Sequence, residues 1–161
     1  MSASATVIGT AMVMFSIPAA EKISGTGVIY ALDIQEPPLA LLRKRAREKH
    51  LYNIQTIRSD LEKHGGSHLK DAAADRVIIA NILFQAPDKN AVLREAFRIL
   101  KKSGKLIIVE WRSDSTGSIG PRRAGRITKE ALIDLLAAHP ASYEKEFDIG
   151  DHHYGIVYKK N

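Results

Sequence analysis

The stretch DRVIIANILFQAPDKNAVLREAFRILKKSGKLIIVEW, residues 75–111, predicts a strand, a helix and a second strand in succession. Its first part is entirely apolar from Val77 to Ala80, which is typical of a strand buried on both faces. The middle part predicts an amphipathic helix, with Asp88 as its N-cap and Gly104 as the residue that stops it. The apolar positions at helical spacing are Val92, Leu93, Ala96, Phe97 and Leu100. The last part, Lys105 to Trp111, predicts another buried strand, so the stretch indicates a parallel βαβ unit.

The same alternation of strand and helix continues on both sides of this unit. Upstream, GVIYALDI (residues 27–34) and IQTIRSD (residues 54–60) predict strands, and PPLALLRKRAREKH between them predicts a helix. Downstream, a helix begins at the capping Thr128, and residues 143–160 predict an antiparallel hairpin with its turn near Gly150. We therefore expect one α/β domain over residues 1–161, with helices on both faces of a mostly parallel sheet. The sheet has seven strands, or six if the opening segment forms none.

The composition excludes several classes of function. The 161 residues fit one domain, and the absence of cysteine excludes disulfides, thiol catalysis and cysteine-based zinc sites. The six histidines lie near no cluster of carboxylates, so no metal site is expected. The net charge of +6 fits either an anionic partner or a solvated basic surface. Because the basic run Arg43–Lys49 has no interleaved aromatic residues, nucleic acid is not the expected partner.

The chain opens with an uncharged, apolar segment from Ala3 to Ala20. No Lys or Arg precedes this segment, and Gly9 and Pro18 interrupt it, so it does not have the pattern of a secretory signal. It is also marginal as a membrane span, which needs about 20 strongly apolar residues. We expect a cytoplasmic protein without a membrane partner.

Polar side chains stand where the predicted parallel strands end. Asp33 and Asp60 each follow a strand, and Asn81 and Glu110 occupy corresponding positions in the βαβ unit. Ligands of open parallel sheets bind outside the carboxyl ends of the strands, near the point where the strand order reverses. Asp33 lies 24 residues after Gly9, close to the spacing at which nucleotide-binding folds place an acid on the ribose hydroxyls. For Asp60, a turn-forming or helix-capping role is the alternative.

These segments together resemble the class I S-adenosylmethionine-dependent methyltransferases, in particular the ubiquinone-biosynthesis-like branch that acts on small molecules. The segments that carry the resemblance are GTGVIYALDIQ, NIQTIRSDLE, ADRVIIANILF, AVLREAFRILKKSGKLIIVEW and GPRRAGRITKEALIDLL. The resemblance implies a three-layer Rossmann-like methyltransferase fold, with a seven-stranded, mostly parallel sheet that ends in an antiparallel hairpin. It also implies S-adenosylmethionine as the cofactor and a small-molecule methyl acceptor as the partner.

By position, the resemblance assigns a role to each residue at the strand tips. Asp33 would accept hydrogen bonds from the ribose hydroxyls, and Ile34 would contact the adenine. Asp60 would accept from the adenine amino group, with Leu61 packed beside it. Asn81 would lie near the methionine moiety.

The family's glycine-rich loop is only partly present. When the loop is aligned with Gly9 to Val13, Gly9 is kept, Ala11 and Val13 replace the other two glycines, and Val7 replaces the preceding acid. In this alignment Phe15 opens the first helix and Pro18 lies in its first turn. A one-residue insertion, which aligns Gly9–Ala11 with the last part of the loop, is the alternative. The N-terminal lid of the family is expected to be missing.

The substrate would enter on the side of the fifth strand. Candidate residues for binding it are Glu110, Arg122, Arg126, His152 and Tyr154. The arginines suit a carboxylate or phosphate, although loop solubility also explains them. If methyl transfer needs a general base, Glu110, His152 and Tyr154 are the candidates. The alternative to an enzyme is a non-catalytic module that uses the same fold for binding, or for homo-oligomer assembly through the apolar N-terminal segment.

Overall fold

A computed structural model of the protein describes residues 4–9, 13–23, 25–115 and 119–161. In chain order the elements are β1 (Ser4–Gly9), α1 (Val13–Lys22), β2 (Gly27–Asp33), α2 (Glu36–Glu48), β3 (Ile54–Arg58), β4 (Ala74–Ala80), α3 (Lys89–Ile99), β5 (Leu100–Trp111), α4 (Lys129–Leu136), β6 (Ala141–Asp148) and β7 (His153–Lys160). A short 3₁₀ turn, Arg123–Gly125, precedes α4. The alternation of helix and strand confirms the α/β class.

The strands lie in the order β3-β2-β1-β4-β5-β7-β6. The pairs from β3 to β5 are all parallel, and β7 pairs antiparallel with both β5 and β6. The order reverses direction between β1 and β4, because β2 and β3 extend the sheet one way and β5 extends it the other. The carboxyl ends of β1 to β5 therefore meet at one edge, around this reversal.

Two apolar cores cover the two faces of the sheet. Val77 and Ile79 of β4 belong to the core that α3 and α4 bury, whereas Ile78 packs against the core of α1 and α2. Alternate residues of a strand point to opposite faces, so the helices flank the sheet in three layers. The central strand β4 is apolar on both faces for this reason.

Helix α3 starts as the sequence predicts and ends earlier. Asp88 caps it, since its Oδ1 accepts a hydrogen bond of 2.9 Å from the Ala91 N–H. The prediction that Gly104 stops the helix is wrong, because α3 ends at Ile99 and Leu100 already lies in β5. Ser103 adopts a φ of 61° in the β5 segment that follows, where the register against β4 shifts. Leu100, predicted on the helical face, still contributes to the same core from the strand.

Helix α1 begins at Val13 and not at Phe15. Pro18 consequently lies inside the helix instead of in its first turn. Because proline has no N–H, the helix gives up the hydrogen bond that residue 18 would donate to the Met14 carbonyl. The apolar face of α1 packs on β2 through Ile17 and Ala20.

The connection from β3 to β4, residues 59–73, contains no helix. Instead, Glu95 of α3 holds it, accepting hydrogen bonds from the N–H groups of Gly65 at 2.9 Å and Ser67 at 3.0 Å. Arg98, one turn later, donates to the Leu69 carbonyl at 2.8 Å and pairs with Glu95. We call this arrangement the Glu95–Arg98 clamp.

The basic surface of α2 is partly neutralised by acids. Arg43 pairs with Glu36, Arg45 with Glu48, and Lys49 with Glu21 of α1. Among the helices of the described ranges, none has the length and apolar character that a membrane span requires. The same ranges contain no group of three or more histidine, aspartate or glutamate side chains arranged to hold a metal ion.

Candidate functional site

A cavity of about 460 Å³ opens at the sheet edge where β2, β3 and β4 end. We call it the strand-tip cavity. Five of the residues predicted to bind the cofactor line it: Asp33, Ile34, Asp60, Leu61 and Asn81. The remaining lining residues are Leu32, Gln35, Pro38, Ser59, Glu62, Ile82, Phe84, Gln85, Ala86 and Val92. The geometry thus brings together the five predicted side chains, although Asp33 and Asn81 are 48 positions apart in the sequence.

Asp33 is the last residue of β2, and only 6% of its surface is exposed. Its Oδ1 accepts a hydrogen bond of 2.8 Å from the Gln35 N–H, which fixes the carboxylate at the start of α2. Its carbonyl accepts another from the Ser59 N–H across β3, also at 2.8 Å. Ile34, the next residue, is 55% exposed and is one of the few large apolar side chains open to solvent. A rigid acid and an exposed apolar surface therefore lie side by side in the cavity.

Asp60 stabilises its own turn while it lines the cavity. Its Oδ1 accepts a 3.2 Å hydrogen bond from the Glu62 N–H, and its Oδ2 lies 3.2 Å from the Lys63 Nζ. Asp60 is therefore a turn former, as the alternative interpretation has it, and its carboxylate also lines the cavity. Leu61 beside it packs against the main apolar core.

Asn81 follows β4 and lines the cavity with a side-chain oxygen that has no hydrogen-bond partner in the described part of the chain. Its Oδ1 is buried. Its backbone adopts a φ of 56°, a left-handed conformation that asparagine tolerates better than most residues. Its N–H donates to the Val109 carbonyl at 2.9 Å, and its carbonyl accepts from the Gln85 side chain at 3.0 Å. Burying an amide oxygen unpaired costs about 1–3 kcal/mol, so a donor from a ligand would be stabilising here.

Gly9, the last residue of β1, does not line the strand-tip cavity, although it lies next to Leu61 and Ile82, which do. A Cβ at this position would lie 2.6 Å from Ile82 Cδ1 and 3.3 Å from Leu61 Cδ1, so a larger residue here would push these two side-chain ends aside. The predicted Ala11 lies outside the described residues. Val13 is the first residue of α1, and the assignment of the loop to residues 9–13 stays a prediction.

Glu110 lies one strand away from Asn81 and is completely buried. Its Oε1 accepts a 2.7 Å hydrogen bond from the Leu83 N–H, and its Oε2 has no partner in the described part of the chain. Burial raises the pKa of Glu110 to about 7, and the backbone N–H groups of the turn after β4 offset only part of this effect. The carboxylate is not among the residues that line the strand-tip cavity. The structure places this predicted substrate ligand behind the wall of the cavity.

Arg126 does not point into open space as a loop arginine would. Its guanidinium donates a hydrogen bond of 2.7 Å to the Ser115 hydroxyl. It also donates to three carbonyl oxygens, those of Arg112 and Ile119 at 2.8 Å and of Pro121 at 2.9 Å. Its Cζ also lies 5.6 Å from the ring centre of Trp111. These contacts hold the loop after β5, so Arg126 is a loop-fixing residue in this structure. The prediction of a substrate-binding arginine suits the exposed Arg122 better.

Tyr154 and His152 lie on the opposite side of β5 from the strand-tip cavity. The Tyr154 hydroxyl donates to the Ile127 carbonyl at 3.0 Å, and burial raises its pKa above the ordinary value for tyrosine. A hydroxyl held in this way is a poor general base at neutral pH. Tyr154 lines a polar cavity of about 500 Å³, and His152 lines a neighbouring one of about 450 Å³. Neither residue shares a cavity with Asp33.

Sequence reasoning missed the part of the site that follows Asn81. Ile82, Phe84 and Gln85 form a turn after β4 and line the strand-tip cavity. Their position directly after a predicted strand tip was the available signal, since every segment that leaves this edge reaches the cavity.

Comparison with known proteins identifies the family. Residues 8–158 match the model of a methyltransferase domain. A demethylmenaquinone methyltransferase from Listeria welshimeri is 33% identical over 99 residues, which is 60% of this chain and 39% of that protein. One from Oceanobacillus iheyensis is 24% identical over 136 residues, covering 83% of this chain and 54% of the relative. The chain thus spans between two fifths and about half of these proteins.

Solved structures show the same fold. A SAM-dependent methyltransferase from Aquifex aeolicus superposes with a TM-score of 0.85 at 18% identity, covering 97% of this chain and 81% of that one. The cyclase SpnF superposes with a TM-score of 0.81 at 16% identity, covering 99% and 76%. The fold therefore carries more than one type of chemistry among these structures. Since the family model spans nearly the whole length, the chain belongs to the methyltransferase domain family.

Proposed function

We propose that the chain binds S-adenosylmethionine in the strand-tip cavity and transfers its methyl group to a small organic acceptor. One observation carries the proposal: Asp33, Asp60 and Asn81 meet in one cavity at the reversal of the strand order. The volume of about 460 Å³ lies in the range of small-molecule sites.

The residues present fit the adenosine half of the cofactor. The Asp33 carboxylate, held by Gln35, suits a pair of ribose hydroxyls, because a fixed acceptor loses little freedom on binding. The exposed Ile34 offers an apolar surface to adenine, and Asp60 offers an acceptor to the adenine amino group. The buried Asn81 Oδ1 lacks a partner in the described ranges, and a donor of the amino acid moiety suits it.

When bound, S-adenosylmethionine supplies a methyl group that its sulfonium already activates. The protein then acts mainly by holding the two reactants in line and by excluding water. In this chain, Ile82 and Phe84 are the apolar side chains of the cavity that would exclude water from the reacting groups, and Asp33 would fix the position of the nucleoside.

The acceptor is proposed from the relatives. The curated relatives are named demethylmenaquinone methyltransferases, so a ring of that type is the first acceptor to test. Because this chain spans about half of those proteins or less, the acceptor is proposed as a class, a small organic ring compound, and not as one molecule.

Calorimetric titration with S-adenosylmethionine and S-adenosylhomocysteine tests the proposal. We expect a Kd below about 100 μM, which corresponds to about −5.5 kcal/mol. Asp33→Ala should weaken binding at least about tenfold, because the ribose hydroxyls would lose their acceptor. The matched control is Asp134→Ala, which removes an exposed carboxylate from α4 and should leave the affinity unchanged.

Absence of heat with both ligands at about 1 mM, a concentration at which even weak sites fill, contradicts the proposal. The chain would then be a non-catalytic module of the same fold. An equal loss of affinity in the Asp33 and Asp134 variants would place the ligand elsewhere. Methyl transfer itself is tested by incubation with a short-chain demethylmenaquinol analogue and detection of the methylated ring by mass spectrometry.

A further inference from the structure

The turn that forms one wall of the strand-tip cavity is short and lies directly after β4. We call residues 81–86 the wall turn. Its own backbone bonds are local: Gln85 and Ala86 both donate to the Ile82 carbonyl, at 3.1 and 3.0 Å. The first residue, Asn81, is fixed to β5 through the Val109 carbonyl. The middle of the turn needs a separate attachment.

Glu110 supplies that attachment from β5. Its Oε1 accepts from the Leu83 N–H at 2.7 Å, which is a short and charge-assisted geometry when the carboxylate is ionised. Within the described ranges, no other side chain from outside the turn accepts a hydrogen bond from the N–H groups of residues 82–85. The Leu83 side chain meanwhile is buried in the main core. Leu83 is therefore fixed on both its backbone and its side chain.

The burial of Glu110 argues against direct contact with a ligand. None of its surface is exposed, and it lines none of the cavities described above. A carboxylate that neither touches the cavity nor reaches solvent acts through the groups it binds. The group it binds belongs to the wall turn.

We propose that Glu110 is a positioning residue, whose carboxylate fixes the wall turn and thereby shapes the strand-tip cavity. The identity of the ligand rests on the proposed function, whereas the attachment of the turn does not. Loss of the attachment frees the Leu83 N–H and allows Ile82 and Phe84, which line the cavity, to move.

Two variants separate hydrogen bonding from packing. Glu110→Met has a similar volume and no acceptor, whereas Glu110→Gln keeps an amide oxygen for the Leu83 N–H. In Glu110→Met we expect the Leu83 amide to exchange hydrogen at least about tenfold faster, since a hydrogen bond of this kind is lost. The affinity for S-adenosylhomocysteine should fall by about the same factor, and Glu110→Gln should restore both values to within about threefold of the wild type.

Glu95→Met is the matched control, because methionine offers neither amide an oxygen acceptor. Glu95 is the other buried glutamate of the described residues, and it too accepts backbone N–H bonds, from Gly65 and Ser67. Its replacement should accelerate exchange at those two amides and leave Leu83 and the ligand affinity unchanged. If Glu110→Met does not fold, Glu110→Asp takes its place, because its shorter side chain keeps the charge and fails to reach the Leu83 N–H.

Unchanged exchange at Leu83 in the folded Glu110→Met or Glu110→Asp variant would overturn the proposal. Two further results would also overturn it. In the first, the wild type binds S-adenosylhomocysteine, and the variant exchanges the Leu83 amide faster but keeps the wild-type affinity. In the second, Glu110→Gln shows the same exchange and affinity as Glu110→Met. If the wild type binds no S-adenosylhomocysteine, the proposed function fails. The hydrogen-exchange rates of the Leu83 amide in the Glu110 variants then still show whether Glu110 fixes the wall turn.

Discussion

At the scale of single residues, two buried glutamates lie in opposite environments. Burial alone raises the pKa of a carboxyl group, and in Glu110 this effect dominates and brings the pKa to about 7. In Glu95 burial acts in the same direction, but hydrogen bonds from Arg98, Ser67 and Gly65 outweigh it and lower the pKa to about 2. At pH 7 the carboxyl group of Glu95 is therefore ionised, whereas that of Glu110 is partly protonated.

The raised pKa of Glu110 makes the stability of the protein depend on pH. The folded state binds this proton more tightly than the unfolded state, so the stabilisation is complete below about pH 4.5 and is lost as the pH rises through 7. Glu110→Gln removes this dependence, because glutamine does not titrate. Relative to the wild type, we expect the variant to gain up to about 3 kcal/mol in free energy of unfolding between pH 4.5 and 8. Urea unfolding at several pH values measures the difference, and a constant difference across this range contradicts the assignment.

At the scale of elements, the Glu95–Arg98 clamp holds the connection between β3 and β4, which contains no helix. The side chains of Glu95 and Arg98 are only 1% and 14% exposed, and Arg98 contacts the loop at Ser67 and Leu69 as well. The ion pair of Arg94 with the capping Asp88 of the same helix is far more exposed to solvent, with 63% and 55% of the two side chains accessible. The first pair holds a long connection against the core, and the second is screened by water.

Replacement of Arg98 tests the contribution of the clamp. Arg98→Met leaves the Glu95 carboxylate buried without its partner, which costs about 3–5 kcal/mol in the free energy of unfolding. Arg94→Met, the control four residues earlier on α3, should cost at most about 1 kcal/mol. Urea denaturation at pH 7 distinguishes the two. Similar losses in both variants would show that the clamp contributes no more than a surface ion pair.

At the scale of the whole molecule, the strand-tip residues were predictable and their environment was not. Asp33, Asp60 and Asn81 could be placed together because the carboxyl ends of parallel strands meet at one edge. This argument needs only the positions of strands, which apolar runs such as Val77–Ala80 reveal. It supplies no partners for these side chains: a turn-forming role was one alternative for Asp60, but Glu62 and Lys63 as its partners are seen only in the structure.

The acceptor side was less predictable because its contacts are made across long sequence separations. Arg126 contacts carbonyl groups as far away as Arg112, and Tyr154 donates to Ile127, 27 residues earlier. A polar side chain in a loop gives no sign of whether it points to a substrate or to the backbone. The extent of α3 was misjudged for a related reason, since Leu100 packs into the same core from a strand as it would from a helix.

Self-association through the apolar N-terminal segment stays a prediction of the whole molecule. Met14 on α1 is 75% exposed, and burying such a side chain against a second chain is favourable by about 1.5–3 kcal/mol. We expect sedimentation velocity to show a mass that rises with concentration, and Met14→Glu to abolish the rise. Ile119→Glu, which changes another exposed apolar residue on the loop after β5, should not affect it. A monomer at every concentration would end this expectation.

The position of β7 between β5 and β6 has a consequence for synthesis of the chain. The ribosome completes β6 before it makes β7, yet β6 joins the sheet only through β7. Until residues 153–160 emerge, the nascent protein carries an open backbone edge along β5 and a β6 segment without its neighbour. Exposed strand edges are templates for pairing with other chains, so the nascent polypeptide is especially vulnerable to aggregation in the interval before residues 153–160 emerge.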